Sequence, residues 1–238
     1  PTDGSGVSSF QALMVSTASR VGTGNIIGVS TALCLGGFGS VFWMWIIAIV
    51  GSASAFIEST LAQIYKRKGP DGSYGGPAYY IETALHSKPL AIVFSILLII
   101  TYGFGFNMLA SYNLQSTFSG YSFYNAEITP WIIGLVVAVI VCYCLFGGGK
   151  RVIKVTSTLV PFMGVAYILV ALIIVFMNIG MLPDIFKTIF VEAFNFEAIF
   201  GGFSGSCVMF GIKRGLFSNE AGVGSAPNAS ASAEVNHP

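Results

Sequence analysis

The sequence predicts an all-α, polytopic membrane protein, and three observations carry that reading. Of its 238 residues, 54% are hydrophobic and only 9% are charged, with a mean hydropathy of +0.78, whereas a soluble domain carries about 25% charge. Uncharged stretches recur along the whole length; Leu159 to Met177 contains nineteen uncharged residues in a row, broken only by Pro161. In hydrocarbon an unpaired backbone group costs several kcal/mol, so such a run must be helical, and about 20 residues cross the core. Third, the few charges are sorted between alternate connections, as described below.

Six segments follow from the hydropathy pattern. Segment one runs from about Ser8 to Leu35 and is interrupted by Gly22-Thr23-Gly24-Asn25. Segment two, about Val41 to Tyr65, is apolar apart from Glu58 and ends in Lys66-Arg67-Lys68 and a polar turn over Gly69 to Gly76. The short Pro77 to Glu82 stretch suits the interface. Segment three, about Pro89 to Phe118, holds Asn107, Ser111, Asn113 and Gln115, so it is expected to face protein or a cavity. Segments four and five cover Trp131 to Phe146 and Val152 to Met177, with Gly147 to Arg151 between them. Leu182 to Phe194 reads as an amphipathic connector. Segment six, about Glu197 to Gly215, is broken by Gly201-Gly202-Phe203-Ser204-Gly205-Ser206.

Eight of the eleven basic residues fall after even-numbered segments: Lys66, Arg67, Lys68, Lys150, Arg151, Lys154, Lys213 and Arg214. The positive-inside rule makes those ends cytoplasmic, so the chain enters segment one from the cytoplasm. The opposite connections carry Glu127, Asp184 and Glu192 with Lys187 as their one base. A net charge of +1 gives no field that draws nucleic acid, and the scattered Cys34, Cys142, Cys144 and Cys207 form no disulfide or metal framework. No Ser/His/Asp grouping or metal cluster supports an enzyme.

The chemistry is expected at the two glycine-broken segments. Paired interruptions at matching places in two halves of a membrane protein point to a transporter's substrate site. Unwinding frees amide N–H groups at a half-helix start, which hold a carboxylate, and carbonyls, which coordinate a small cation. Gly-x-Gly also serves close helix packing, but two breaks five segments apart fit a repeat: 8–177 as a first five-helix unit and 197–238 as the start of a second. Glu58, inside segment two, is a candidate for coupling or for a structural ion pair. Arg20 is a candidate gate residue or a snorkelling cation. Asn107 lines a cavity or bridges helices, and Glu220 reads as a residue that caps or ties a loop.

Four stretches carry a resemblance to a known family: Arg20 to Val29, Phe42-Trp43-Met44-Trp45, Gly75 to Glu82, and Lys213 to Pro227. On them the chain resembles the bacterial and archaeal alanine or glycine:cation symporters. The resemblance implies an amino acid–polyamine–organocation type of inverted-repeat fold in the bacterial or archaeal cytoplasmic (plasma) membrane. It also implies a further helix upstream and core helices seven to ten downstream, so the chain is expected to be a fragment. Carried over by motif, substrate falls to Thr23, Gly24, Asn107, Gly202, Ser204, Gly205 and Ser206. Sodium falls to Gly22, Asn25 and Ser204; Arg20 and Glu58 stay the gate or coupling candidates that their own positions suggest. Asn107 keeps the family residue in segment three, while Ala110 and Tyr112 stand where polar side chains are common.

The function so implied is sodium-coupled import of alanine or glycine by alternating access, with sodium as the coupling ion, no cofactor, and the lipid bilayer as surroundings. Proton coupling with another small amino acid, and a non-transporting membrane receptor or scaffold, are the alternatives.

Overall fold

The computed structural model describes residues 9–22, 24–70, 72–197, 202 and 206–235, and all structural statements refer to these. Eleven α-helices are described: α1 Ser9–Arg20, α2 Val29–Gly36, α3 Gly39–Ile64, α4 Pro77–Ala84, α5 Lys88–Ile100, α6 Asn107–Ser116, α7 Thr129–Leu145, α8 Gly148–Met177, α9 Leu182–Ala193, α10 Cys207–Asn219 and α11 Ser225–Ala231. Wider π-helical turns, Gly24–Gly28 and Thr101–Phe106, lead into α2 and join α5 to α6. A two-stranded hairpin, β1 Arg67–Gly69 and β2 Gly72–Tyr74, follows α3.

Proline sets several helix starts. Pro77, Pro89, Pro130 and Pro183 each stand in the first two positions of their helices, where the missing N–H is no loss and the fixed φ is already helical. Pro161, in contrast, lies inside the 30-residue α8 without ending it, as membrane helices tolerate.

Three helical runs are long and apolar enough to cross a membrane: Gly39–Ile64, Lys88–Ser116 and Gly148–Met177, of 26, 29 and 30 residues. At 1.5 Å per residue each exceeds the roughly 30 Å of hydrocarbon. Thr129–Leu145 and Ile27–Gly36 are shorter apolar helices. Large side chains such as Ile49, Phe56, Phe162 and Phe176 point outward, while the buried apolar residues are chiefly alanines: Ala32, Ala62, Ala193, Ala231. That inversion is the packing logic of helices in lipid, where association comes from close backbone approach through small residues.

The α3–α10 pair shows it best. Gly211 faces the backbone of Ser40 and Cβ of Trp43, and Gly215, one turn on, faces Met44 and Ile47. Further along, Asn219 Nδ2 donates to the Ile47 carbonyl at 3.2 Å. The two helices therefore run side by side in the same direction. At the Gly39 end, Glu192 of α9 accepts from Gly39 N, and Trp43 Nε1 donates to the Ala193 carbonyl. At the Ile64 end, Gln63 and Lys66 donate to carbonyls of Ser230 and Ala233.

Segments one to five, the interfacial helix and the amphipathic connector appear where the sequence places them, within a few residues. Segment six differs. Its helix does not end at Gly215 but runs to Asn219, stops in a turn over Glu220–Gly224, and resumes as α11. That turn has positive φ at Glu220, Gly222 and Gly224, which the two glycines adopt freely. Lys213 and Arg214 consequently do not end the segment. They lie level with Ser40 to Ile47 of α3, toward the Gly39 end and away from Lys66. The interruption expected in segment six, at Gly201 to Gly205, lies almost wholly outside the described residues.

Candidate functional site

The first interruption begins where α1 stops at Arg20. Its last carbonyls lose their helical partners there, and Asn25 takes one: its Nδ2 donates to the Arg20 carbonyl at 3.0 Å, while its backbone N–H donates to Gly22 O at 3.1 Å. Asn25 Oδ1 then accepts from Ser218 Oγ, at the far end of α10. Beside it, Gly24 is buried against the ring of Phe217. The break in segment one thus packs on the turn that ends α10, which is the second interruption present among the described residues.

Segment three closes the third side. Asn107 Nδ2 donates to the carbonyls of Tyr102 and Gly103, at 2.9 and 3.1 Å, filling acceptors that the wider π turn leaves free. The turn stacks its rings: Tyr102 on Phe106 with centroids 4.9 Å apart, and Phe106 on Phe217 at 5.7 Å. Tyr102 Oη donates to Glu220 Oε2 at 2.9 Å, and Ser225 Oγ donates to the same oxygen at 3.1 Å. Glu220 is buried, and its φ of 52° makes it the left-handed cap of α10.

Between these elements lies an open cavity of about 220 Å³, walled by Ser19, Arg20, Gly22 and Gly24 among residues of segment one, by Tyr102, Phe106, Asn107 and Ala110 among those of segment three, and by Phe217, Ser218 and Glu220. It is smaller than the roughly 300–1,000 Å³ of sites for drug-sized ligands and suits a small solute. Its walls carry one cation, Arg20, and one anion, Glu220. Arg20 Nε is buried with no hydrogen-bond partner, and among the described residues the ion pair within 4 Å is Arg67–Glu82. The two cavity charges are therefore not paired with each other. Helix ends add to them: α1 and α10 both present C-termini here, and the continuous helical run from Gly24 presents its N-terminus.

Of the residues picked from sequence, Arg20, Gly22, Gly24 and Asn107 wall this cavity, and Asn25 braces it through Ser218. Thr23, Ser204 and Gly205 lie outside the described residues. Ser206 is placed elsewhere. It caps the opposite end of α10, its Oγ accepting from Met209 N at 3.3 Å, about 20 Å along the helix from Glu220 at 1.5 Å per residue. Gly202 precedes it and is likewise absent from the cavity wall. Glu58 is also off the wall. It accepts from Ser54 Oγ at 3.3 Å and lies near Gly222. Tyr80, outside the spanning helices, is pushed above the usual tyrosine range by burial and then by the Glu58 charge. Ala110 walls the cavity and Tyr112 does not. Among the described residues no group of three or more His, Cys, Asp or Glu is placed to hold a metal ion.

Phe217, Ser218, Tyr102 and Phe106 were not singled out by sequence, and Glu220 was read only as a tie. One signal pointed to them: Gly222-Val223-Gly224 repeats the Gly-x-Gly of Gly22-Thr23-Gly24, directly after a polar run in an apolar segment.

Residues 2–238 match the sodium:alanine symporter family. The amino-acid carrier protein AlsT of Bacillus subtilis is 47% identical over 100% of this chain and 50% of its own length. The probable sodium/glutamine symporter GlnT of the same organism is 46% identical, over 98% of the chain and 48% of its own. The sodium/alanine symporter AgcS of Methanococcus maripaludis is 43% identical over 98% of the chain and 51% of its own. The chain thus spans about half the length of the curated relatives it matches. With a match that covers nearly every residue, and helices built for lipid, the chain belongs to the sodium:alanine symporter family, whose members are membrane transporters and not enzymes.

Proposed function

We propose that this chain supplies the first five-helix repeat and the opening of the second in a sodium-coupled importer of a small neutral amino acid, alanine or glycine, working by alternating access in the cytoplasmic membrane. The observation that carries the reading is the contact between the two interruptions: Asn25 with Ser218, and Gly24 with Phe217, at the edge of a small cavity holding one positive and one negative side chain. A neutral amino acid is a zwitterion. Its carboxylate is served by the helix N-terminus at Gly24 and by Arg20, and its ammonium by Glu220 and the C-termini of α1 and α10. Balanced charge in the wall favours a solute with no net charge, because a surplus charge in a low-dielectric site is costly. The cavity volume limits the side chain. Relatives named for alanine and for glutamine make side-chain size the property to test.

The site assigned here keeps Arg20, Gly22, Thr23, Gly24, Asn25 and Asn107 from the sequence reading. It adds Phe217, Ser218 and Glu220; Gly202 and Ser206 are off this wall, and Ser204 and Gly205 stay candidates from the same stretch. Sodium is assigned to the unwound backbone around Gly22 and Asn25, completed by parts of the protein beyond this chain.

The test is uptake of labelled alanine, glycine and glutamine into proteoliposomes of the full-length protein, with and without an inward sodium gradient. Gradient-dependent accumulation of alanine or glycine, lost in a folded Asn25→Ala variant, is the expected result. No uptake of either, with folding verified, sinks the substrate assignment. A second reading, proton coupling, is favoured by one feature, the buried Glu220 carboxylate in the cavity wall. Accumulation driven by a proton gradient without sodium would select it.

A further inference from the structure

The turn that interrupts segment six has three residues in the left-handed region, Glu220, Gly222 and Gly224, with φ of 52°, 86° and 103°. Two are glycines, which adopt that conformation freely; a glutamate there is strained. Glycine would serve the backbone better at 220, so the side chain must supply something that offsets the strain. What it supplies is visible. The carboxylate is buried, and Oε2 accepts from Tyr102 Oη at 2.9 Å and from Ser225 Oγ at 3.1 Å. One oxygen therefore joins the end of α10, the first turn of α11 and the π turn of segment three.

Tyr102 is itself held from two sides. Asn107 Nδ2 donates to its carbonyl at 2.9 Å, and its ring stacks on Phe106, which stacks in turn on Phe217. A wider turn inside a membrane helix is a recurrent mark of function. Here it aims Tyr102 across the cavity edge at a residue 118 positions away.

We propose that the Tyr102 hydroxyl and the Glu220 carboxylate form a tether that fixes the interruption of segment six to segment three, making both of them positioning residues for transport in addition to their places in the cavity wall. Buried hydrogen bonds to a carboxylate are stronger than neutral ones, so the tether holds the turn in one arrangement and passes any movement of one segment to the other. It acts through the turn and the Phe106–Phe217 stack, and does not require Tyr102 to touch the solute. The inference rests on the transport reading above, and its test includes a readout independent of the substrate.

Three variants of the full-length protein separate the roles. Tyr102→Phe removes one donor and keeps the ring stack. Glu220→Gly keeps the backbone conformation and removes the tether. Glu220→Gln keeps an acceptor oxygen. In proteoliposome uptake, Tyr102→Phe is expected to lower Vmax about 10-fold, with KM for the solute changed less than about 3-fold and thermal stability in detergent kept near wild type. Glu220→Gly is expected to lower Vmax at least as much and, because it also removes the anion of the cavity wall, to raise KM. Glu220→Gln is expected to recover much of the loss in Vmax but not the rise in KM, since it restores the acceptor and not the charge. The Tyr102→Phe/Glu220→Gly double variant should be no worse than the poorer single one, because both remove the same bond.

The second readout is the rate at which a thiol reagent labels Ala110→Cys in a background lacking the native cysteines. Loss of the tether frees the cavity edge, so Tyr102→Phe should raise the labelling rate several-fold, whatever the solute proves to be. Wild-type uptake rates in Tyr102→Phe, or fully additive losses in the double variant, would overturn the proposal. Should no solute be taken up at all, an unchanged labelling rate overturns it independently, and a raised one keeps it while the substrate reading fails alone.

Discussion

Gly24 and Phe217 meet so closely that a Cβ at residue 24 would lie 2.9 Å from both Cδ1 and Cε1 of the ring. Only glycine lets the break in segment one lie flat on the end of α10. Phe217 is further held by stacking on Phe106, with ring centroids 5.7 Å apart. Overpacking of this kind costs about 1–3 kcal/mol. Gly24→Ala is therefore expected to weaken solute affinity about 10-fold, since the displaced ring belongs to the cavity wall. Phe217→Leu in the same chain should restore part of that affinity by removing the ring. Measured KM values for uptake decide it; a Gly24→Ala variant with unchanged KM would show that the ring is free to move.

Gly211 and Gly215 let α10 approach α3, but not equally. A Cβ at 211 would sit 2.6 Å from the Ser40 carbonyl oxygen and 2.6 Å from Trp43 Cβ, whereas one at 215 would meet Ile47 at 3.2 Å. Backbone cannot step aside as a side-chain branch can. Both substitutions gain the same helix propensity, about 1 kcal/mol, so their difference reports packing alone. Gly211→Ala should lower the thermal midpoint in detergent clearly more than Gly215→Ala, with a gap of about 1–2 kcal/mol. Equal midpoints would mean that the helices are not packed through this stripe.

How much of this was legible in sequence follows from what each signal measures. Hydropathy reports transfer from water to lipid, and it located five segments, the Pro77 helix and the Leu182 connector within a few residues. It is blind to where a helix unwinds. Gly201-Gly202 and Gly222-Val223-Gly224 carry similar glycine content, and a segment ended by hydropathy at Lys213 and Arg214 leaves the second pair out. The structure puts those cations level with Ser40 to Ile47, because Gly211 before them and Gly215 and Asn219 after them lock α10 to α3. Half of the candidate site, from Arg20 to Asn25 together with Asn107, was readable because polar residues and glycines stand out in apolar surroundings. The other half was not. Phe217 and Phe106 look like any lipid-facing aromatic, and the tie between Tyr102 and Glu220 spans 118 residues that no local pattern connects.

Glu192 caps a helix from another segment. Its Oε2 accepts from Gly39 N at 3.2 Å, at the start of α3, where the helix leaves N–H groups without partners. The carboxylate also faces the positive end of the α3 dipole. Glu192→Ala should destabilise the protein by about 1–2 kcal/mol, the range for losing a cap together with a favourable charge. Glu192→Gln should lose less, since its amide oxygen still accepts. Thermal unfolding in detergent measures both; equal losses would assign the effect to packing of the side chain and not to capping.

At the other end of α3 two basic neighbours make opposite expectations. Arg67 pairs with Glu82 at 2.8 Å, with side chains 47% and 35% exposed, and exposed pairs contribute only about 0–1 kcal/mol. Lys66 is different. Its Nζ donates to the Ala233 carbonyl at 2.9 Å and to Gln63 Oε1 at 2.7 Å, both part-buried, and Gln63 donates onward to Ser230 and Ala233. These bonds fasten the chain after α11 to α3, and a hydrogen bond from a charged group contributes about 1.5–3 kcal/mol. Lys66→Ala should therefore free this end of segment six, while Arg67→Ala leaves it in place. Proteolysis and amide exchange over residues 225–235 read the difference directly: faster exchange in Lys66→Ala and an unchanged rate in Arg67→Ala are expected. The reverse order would place the fastening on the β-hairpin and not on α3.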